Sequence, residues 1–220
     1  MLQWGSLQVA ETLEELVDPH YTALLMWDFA RGLAARAFNS ESFVQNTKRL
    51  LDVARENKVP VFYSRQSDMS WEDIGPGLIR MRMRDELKSK SEAGKISVIT
   101  PPNKKGTSDG EFVEQLKPLD ADVVFEKFLP NAFLGTNLDW RLRSRNIKTL
   151  VLTGISAVTG VDGTAREAIN RGYYAVIVRD CVSTTTQERY ELAMPAMEKL
   201  FDIFDSSEIV DAWQKIGLRK

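Results

Sequence analysis

Short apolar segments alternate with longer helical segments along most of the 220-residue chain, and this alternation constrains the fold more than any other feature. Continuous apolar runs such as T-A-L-L-M-W-D at 22–28 are typical of strands buried on both faces. The predicted strands are 22–28, 59–64, 122–126, 149–153 and 174–179, and the predicted helices are 41–57, 136–145, 161–171 and 187–204. Strands joined through helices build a parallel sheet covered on both faces, so the sequence predicts an α/β fold, a three-layer α/β/α sandwich.

The chain is predicted to form one domain over residues 1–220. Hydrophobic residues make up 43% of the sequence, which is enough for a sizeable core, and no Gly/Ser/Pro-rich linker divides it. Residues 66–120 interrupt the alternation with G-P-G at 75–77 and P-P-N-K-K-G-T-S-D-G at 101–110. Connections of this length are uncommon in compact domains, so we expect this insertion to be a lid or an interface arm.

Charge and composition argue against several classes of protein. The 29 basic and 31 acidic residues are mixed along the chain and leave a net charge of -2, so no basic patch indicates a nucleic-acid partner. No stretch approaches the roughly 18 apolar residues of a membrane helix, and the first residues lack the pattern of a signal peptide. The single cysteine, Cys181, cannot form an internal disulfide. These features predict a cytoplasmic protein without nucleic-acid or membrane partners.

Three features lie at the carboxyl ends of predicted strands, which is where open α/β sheets bind ligands. Asp28 ends the first strand, and a carboxyl group that is partly removed from water suits proton transfer. Lys127 ends D-V-V-F-E-K and can donate to a carboxylate and to a substrate oxygen. The turn 154–160 leads into a helix, so the amides of residues 156–161 are expected to be free to bind an oxyanion or a carboxylate. We expect the three features to share one pocket.

Each of these three features could also have a purely structural role, without taking part in catalysis. An Asp at a strand end often forms a turn, a Lys there often extends its amine to solvent, and a glycine-containing turn can simply precede a helix.

The residues that other catalytic arrangements require are missing from the sequence. His20 is the only histidine, so neither a Ser-His-Asp triad nor a zinc site has support. We predict no metal and no cofactor.

Three segments resemble the isochorismatase-like hydrolase superfamily, the cysteine hydrolases that include N-carbamoylsarcosine amidase, nicotinamidase and isochorismatase. They are A-L-L-M-W-D at 23–28, E-K-F-L-P-N-A-F-L-G-T-N-L at 126–138 and G-I-S-A-V-T-G-V-D-G-T-A-R-E-A at 154–168, within a resemblance that spans residues 22–210. The resemblance implies a Rossmann-type central sheet of six mostly parallel strands and a cis peptide bond between Ile155 and Ser156. It also implies a homo-oligomer, either a dimer or a tetramer.

The same resemblance implies a catalytic triad of Asp28, Lys127 and a cysteine, but the cysteine position holds Gly160. Glycine has no side chain, so a thioester intermediate at this position is excluded. Cys181 is a second candidate for the nucleophile if it lies within reach of the base. A nicotinamidase-type metal site lacks its histidines and would leave Asp68 alone. The residues implied to bind the substrate or an oxyanion are Ser156, Thr159, Gly160, Asn131 and Phe133.

Cysteine-free isochorismatases of this superfamily hydrolyse a vinyl ether and release pyruvate. By analogy, Asp28 would protonate the enol ether carbon and water would trap the oxocarbenium ion, while Gly160 would leave room for substrate or water. We therefore expect a small-molecule hydrolase in which Asp28 acts as general acid or base with Lys127, and water attacks a vinyl ether or a carbamoyl or amide-type substrate. The alternative is a catalytically inactive homologue that retains a ligand-binding or regulatory role.

Overall fold

The structure is a computed structural model that describes residues 1–67, 75–82, 84 and 106–217. Residues 68–74, 83 and 85–105 of the predicted insertion 66–120 lie outside this range, and Asp68 is among them. The lid or interface role of the insertion therefore stays a prediction.

The described strands and helices largely follow the predicted order. The strands are β1 Leu2–Trp4, β2 Leu7–Val9, β3 Thr22–Trp27, β4 Val61–Gln66, β5 Val123–Lys127, β6 Thr149–Ile155, β7 Tyr174–Ser183 and β8 Asp202–Phe204. The helices are α1 Leu13–Leu16, α2 Arg31–Ala34, α3 Ser40–Glu56, α4 Pro76–Arg82, α5 Leu138–Ser144, α6 Asp162–Asn170, α7 Gln187–Met197 and α8 Ser206–Gly217. A π-helical turn at Ala157–Val161 connects β6 to α6.

A six-stranded parallel sheet forms the middle layer, which confirms the predicted fold class and the strand number implied by the resemblance. The strand order is β5-β4-β3-β6-β7-β8. The chain builds one half of the sheet outwards from β3 and then returns to build the other half outwards from β6. The order thus reverses between β3 and β6, where a doubly wound sheet opens a crevice for ligands at its carboxyl edge.

Helices cover both faces of the sheet, and alternate residues of each strand point to opposite layers. On β3, Ala23, Leu25 and Trp27 pack in the layer that contains α5, α6 and α7, whereas Leu24 and Met26 pack in the layer that contains α3 and α8. The central strands are therefore apolar on both faces, and this explains the continuous apolar run in the sequence.

Two parts of the fold differ from the prediction. The predicted helix 187–204 ends at Met197, and Asp202–Phe204 instead forms the edge strand β8 beside β7. Three residues are too short to show the alternation by which strands are recognised. The chain also begins with an antiparallel hairpin, β1 with β2, in which Trp4 and Leu7 are exposed. The predicted C-terminal helix is present as α8.

The ends of β3 and β6 approach each other closely at a glycine. Gly154 pairs with Trp27 in the parallel register, and a Cβ at residue 154 would lie 2.1 Å from the Trp27 carbonyl oxygen. Its φ of +128° is also a conformation that favours glycine. Only glycine allows this contact, which brings the turn after β6 beside the end of β3.

None of the helices in the described part of the chain combines the length and apolarity that a bilayer crossing requires.

Candidate active site

Asp28 and Lys127 meet in a buried ion pair at the carboxyl edge of the sheet. Lys127 Nζ donates to Asp28 Oδ2 at 2.8 Å and to Gln66 Oε1 at 3.1 Å. The Ser64 hydroxyl donates to Asp28 Oδ1 at 3.1 Å, and the Asp28 amide donates to the Ser64 hydroxyl oxygen at 3.2 Å. Lys127 is fully buried and Asp28 is 4% exposed. The structure thus places the two predicted residues together, with Ser64 and Gln66 of β4 as their partners.

Burial is the main influence on the Asp28 carboxyl group. It raises the pKa of Asp28 above its ordinary value, and the charge and hydrogen bond of Lys127, with the Ser64 hydroxyl, offset part of this rise. Asp28 also has a φ of +52°, in the left-handed region that Asp adopts more readily than most residues. Backbone strain of this kind concentrates at functional sites. The raised pKa is consistent with a carboxyl group that exchanges a proton.

The Trp27 indole fills the space beside Gly160. A Cβ built at residue 160 would lie 1.9 Å from Trp27 Cζ2, 2.2 Å from Cη2 and 2.3 Å from Cε2. Lys127 Nζ lies 4.0 Å from the centroid of the same ring. The expectation that Gly160 leaves room for substrate or water is therefore wrong, because an aromatic side chain from the adjacent strand occupies that room.

Within the predicted range 156–161, the amides of residues 159–161 are not free. The amides of Gly160 and Val161 donate to the Ser156 carbonyl oxygen at 3.1 and 3.2 Å, and the Thr159 amide points to the same oxygen at 3.5 Å. In this π-helical turn three consecutive N–H groups face one carbonyl oxygen, and this geometry could not be predicted from the glycine spacing. The predicted oxyanion role of the Gly160 amide lacks a free donor in this structure.

The other predicted binding residues surround the turn without reaching the ion pair. Thr159 is exposed, and Ser156 Oγ lies 3.4 Å from Thr184 Oγ1. Asn131 Nδ2 donates to the Gly163 carbonyl at 3.3 Å. Phe133 is buried and stacks on Tyr173 with 6.0 Å between ring centroids. The Ile155–Ser156 peptide is cis, as the resemblance implies. A role for these side chains in substrate binding stays a prediction.

Cys181 does not replace the missing nucleophile in this structure. It is fully buried among the residues of the α3 and α8 layer, whereas Trp27 and the turn after β6 belong to the opposite layer. Burial, followed by the charge of Asp180, raises the pKa of the Cys181 thiol well above its ordinary value. A thiol that remains protonated and faces the other side of the sheet cannot attack a substrate held at Asp28.

The described residues offer no other obvious catalytic centre. His20 is largely exposed and pairs with Asp18 at 2.8 Å, and no group of three or more potential metal ligands occurs in the part of the chain that the structure covers. A surface groove of 590 Å³ lies beside α2, the start of α3 and residues 113–115. Its lining does not include Asp28, Lys127 or Gly160, so the groove is separate from the ion pair.

Sequence reasoning missed three residues of the site: Ser64, Gln66 and Trp27. Ser64 and Gln66 follow Phe62 at intervals of two, so they lie on the same face of β4, at its carboxyl end. This spacing could have identified them once the strand end was known. Trp27 reads as one more apolar residue of a buried strand, and only the packing against Gly160 shows its place in the site.

Removal of either member of the ion pair should destabilise the protein strongly. Asp28→Asn or Lys127→Met alone leaves one buried charge without its partner, which costs about 3–5 kcal/mol. The double variant removes both charges, so its loss of unfolding free energy should be well below the sum of the single losses. Urea denaturation of the four proteins measures this coupling. If the losses of unfolding free energy in the two single variants add up to the loss in the double variant, Asp28 and Lys127 are not coupled as an ion pair.

The packing of Trp27 on Gly160 gives a second stability cycle. Gly160→Ala should cost about 1–3 kcal/mol because the added methyl group meets the indole. The cost should fall in a Trp27→Val background, where the indole is absent. Gly163→Ala is the matched control, since nothing lies within 4 Å of a Cβ at that position. A Gly160→Ala protein as stable as the Gly163→Ala protein in thermal denaturation would refute the contact.

Comparison with known proteins assigns the family. The model described as "Isochorismatase domain" matches residues 22–208. An uncharacterized isochorismatase family protein, YddQ of Bacillus subtilis (strain 168), is 29% identical over 180 residues, which cover 80% of this chain and 84% of that protein. The N-carbamoylsarcosine amidase of Arthrobacter sp is 31% identical over 146 residues, covering 64% of this chain and 50% of the amidase.

Among solved structures, a cysteine hydrolase from Pseudomonas syringae pv. phaseolicola 1448A has the same fold. It superposes with a TM-score of 0.76 at 19% identity and covers 91% of this chain and 96% of its own. The match of the domain model extends over most of the chain and includes Asp28, Lys127 and Gly160. The chain therefore belongs to the isochorismatase family, a membership that supports a hydrolase as its enzyme class.

Proposed function

We propose that the protein is a small-molecule hydrolase that works without a cysteine nucleophile, with Asp28 as general acid or base and Lys127 as its partner. The observation that carries this proposal is the buried ion pair at the carboxyl edge of the sheet, with 2.8 Å between Lys127 Nζ and Asp28 Oδ2. Water is the attacking group, because Gly160 has no side chain and Cys181 lies in the opposite layer.

Asp28 can take part in hydrolysis in two ways, according to the substrate. With a vinyl ether, protonated Asp28 would donate to the enol ether carbon, and water would then add to the oxocarbenium ion. With a carbamoyl or amide compound, ionised Asp28 would accept a proton from the attacking water and return it to the leaving nitrogen. The similarity to an N-carbamoylsarcosine amidase supports the second class.

A catalytically inactive homologue with a ligand-binding or regulatory role is the second candidate. The observation in its favour is the occupation of the space beside Gly160 by Trp27, together with the burial of Asp28 and Lys127. For either candidate, we also predict a single domain and a cytoplasmic location. We predict a dimer or tetramer, with the 66–120 insertion or α8 as its interface.

A substrate panel separates the two candidates. Vinyl ethers, carbamoyl compounds, amides and lactams are incubated with the wild type, with Asp28→Asn and with Asp122→Asn. Asp122 is the matched control, because it is also an ion-paired acid of low exposure, with a side chain 5% exposed, but precedes β5 at the opposite edge of the sheet. We expect turnover by the wild type and the control, and a loss of at least about 100-fold in Asp28→Asn, in line with general acid–base catalysis.

The pH profile identifies the role of Asp28. If Asp28 is the base for an amide or carbamoyl substrate, the rate should increase as pH rises through its pKa, which burial places above the ordinary value. If Asp28 is the acid for a vinyl ether, the rate should decrease over the same interval.

A different outcome of the substrate panel would support the inactive homologue. In that case, panel members raise the melting temperature of the protein in a thermal-shift assay but none of them is turned over.

A further inference from the structure

The Trp27 indole N–H is a buried donor that finds no acceptor in the described part of the chain. Trp27 is 5% exposed, and its Nε1 makes no hydrogen bond there. A buried polar group left without a partner lowers the stability of the fold. In contrast, Trp213, which is also buried, donates from Nε1 to the Val17 carbonyl at 2.7 Å. The Trp27 N–H therefore has unused hydrogen-bonding capacity at the candidate active site.

This donor lies beside the position that the family's nucleophile would occupy. Trp27 Cε2 is 2.3 Å from the site of a Cβ on Gly160, and Nε1 is bonded directly to Cε2. Asp28 follows Trp27 in the chain, and Lys127 Nζ lies over the ring. A positive charge on the face of an indole draws electron density from the ring, which makes the N–H a stronger donor.

A donor at this place would serve amide hydrolysis. The reaction develops negative charge on the carbonyl oxygen, and enzymes stabilise it with fixed N–H groups. The amides of Gly160 and Val161 are already bonded to the Ser156 carbonyl oxygen. The Trp27 N–H is a side-chain donor close to this position that has no acceptor among the described residues.

We propose that Trp27 Nε1–H binds the carbonyl oxygen of a carbamoyl or amide substrate and stabilises the oxyanion formed from it. This inference rests on the proposed function and narrows its substrate class. The oxygen of water bonds to the carbonyl carbon while Asp28 takes the water proton. The carbon–nitrogen bond then breaks as Asp28 returns that proton to the nitrogen, and the products are an acid or carbamate and an amine or ammonia.

The hydrogen-bond polarity of Trp27 favours this substrate class over a vinyl ether. Protonation of a vinyl ether places positive charge on its oxygen, which an N–H donor opposes. Addition of water to a carbonyl places negative charge on oxygen, which the same donor stabilises. The Lys127 ammonium group is balanced by the Asp28 carboxylate at 2.8 Å, so the Trp27 N–H is the group that is complementary to the transition state of amide hydrolysis.

An NMR titration tests the donor directly. The protein is labelled with ¹⁵N in its tryptophan indoles, and the signal of Trp27 is assigned by its absence in Trp27→Phe. N-carbamoylglycine is then added to the wild type, and its hydrolysis is followed in the same tube. We expect the Trp27 N–H proton to move downfield as it gains an acceptor, while the Trp213 signal, already bonded to Val17, stays in place.

Binding by the variants gives the second measurement. Trp27→Phe keeps an aromatic ring beside Gly160 and Lys127 but lacks the N–H, so its Kd for N-carbamoylglycine should rise by about tenfold. Trp213→Phe is the matched control and should bind as the wild type does. A stationary Trp27 signal at saturation, equal affinity of Trp27→Phe, or no binding of the probe overturns the inference. If the probe is hydrolysed while the Trp27 signal stays in place, the proposed function holds and the donor role of Trp27 is wrong. If the Trp27 signal shifts without hydrolysis, Trp27 is a donor to the ligand but the proposed function is not supported.

Discussion

The contact between Asp28 and Lys127 is the interaction on which the rest of the site depends. The two residues are 99 positions apart in sequence, and they meet because β3 and β5 flank β4 in a parallel sheet whose strands all end at one edge. Ser64 and Gln66 of the intervening strand add further hydrogen bonds to the pair. A buried charge pair is favourable only when further hydrogen bonds satisfy its remaining donors and acceptors, so the ends of three neighbouring strands contribute to one charged cluster.

The packing at residue 160 joins two elements of the candidate site. Gly160 has no side chain, and the Trp27 indole from the end of β3 fills the space beside it. A small residue placed against a large one in this way preserves close packing. The ion pair adjoins this contact, since Lys127 Nζ lies 4.0 Å from the centroid of the Trp27 ring. An aromatic face and an indole nitrogen therefore lie beside the buried charges.

Much of this arrangement could be predicted from the sequence. Strands with apolar residues on both faces indicate a parallel sheet, and Asp28 and Lys127 follow such strands, at the edge where ligands bind. The Ile155–Ser156 cis peptide followed from the family resemblance. The engagement of the Gly160 amide could not be predicted, since it depends on a π-helical turn instead of an ordinary helix start. Nor could the position of the Trp27 ring, because it depends on packing between two elements distant in sequence. The strand β8 is too short to carry a periodic signal.

The seclusion of Cys181 has a practical consequence. Its thiol is closed off from solvent and kept protonated, on the face of the sheet away from Asp28. Thiol-directed inhibitors that inactivate cysteine hydrolases would thus find no reactive sulfur at this centre. The rate at which an alkylating reagent modifies the chain would instead report how often the layer formed by α3 and α8 separates from the sheet.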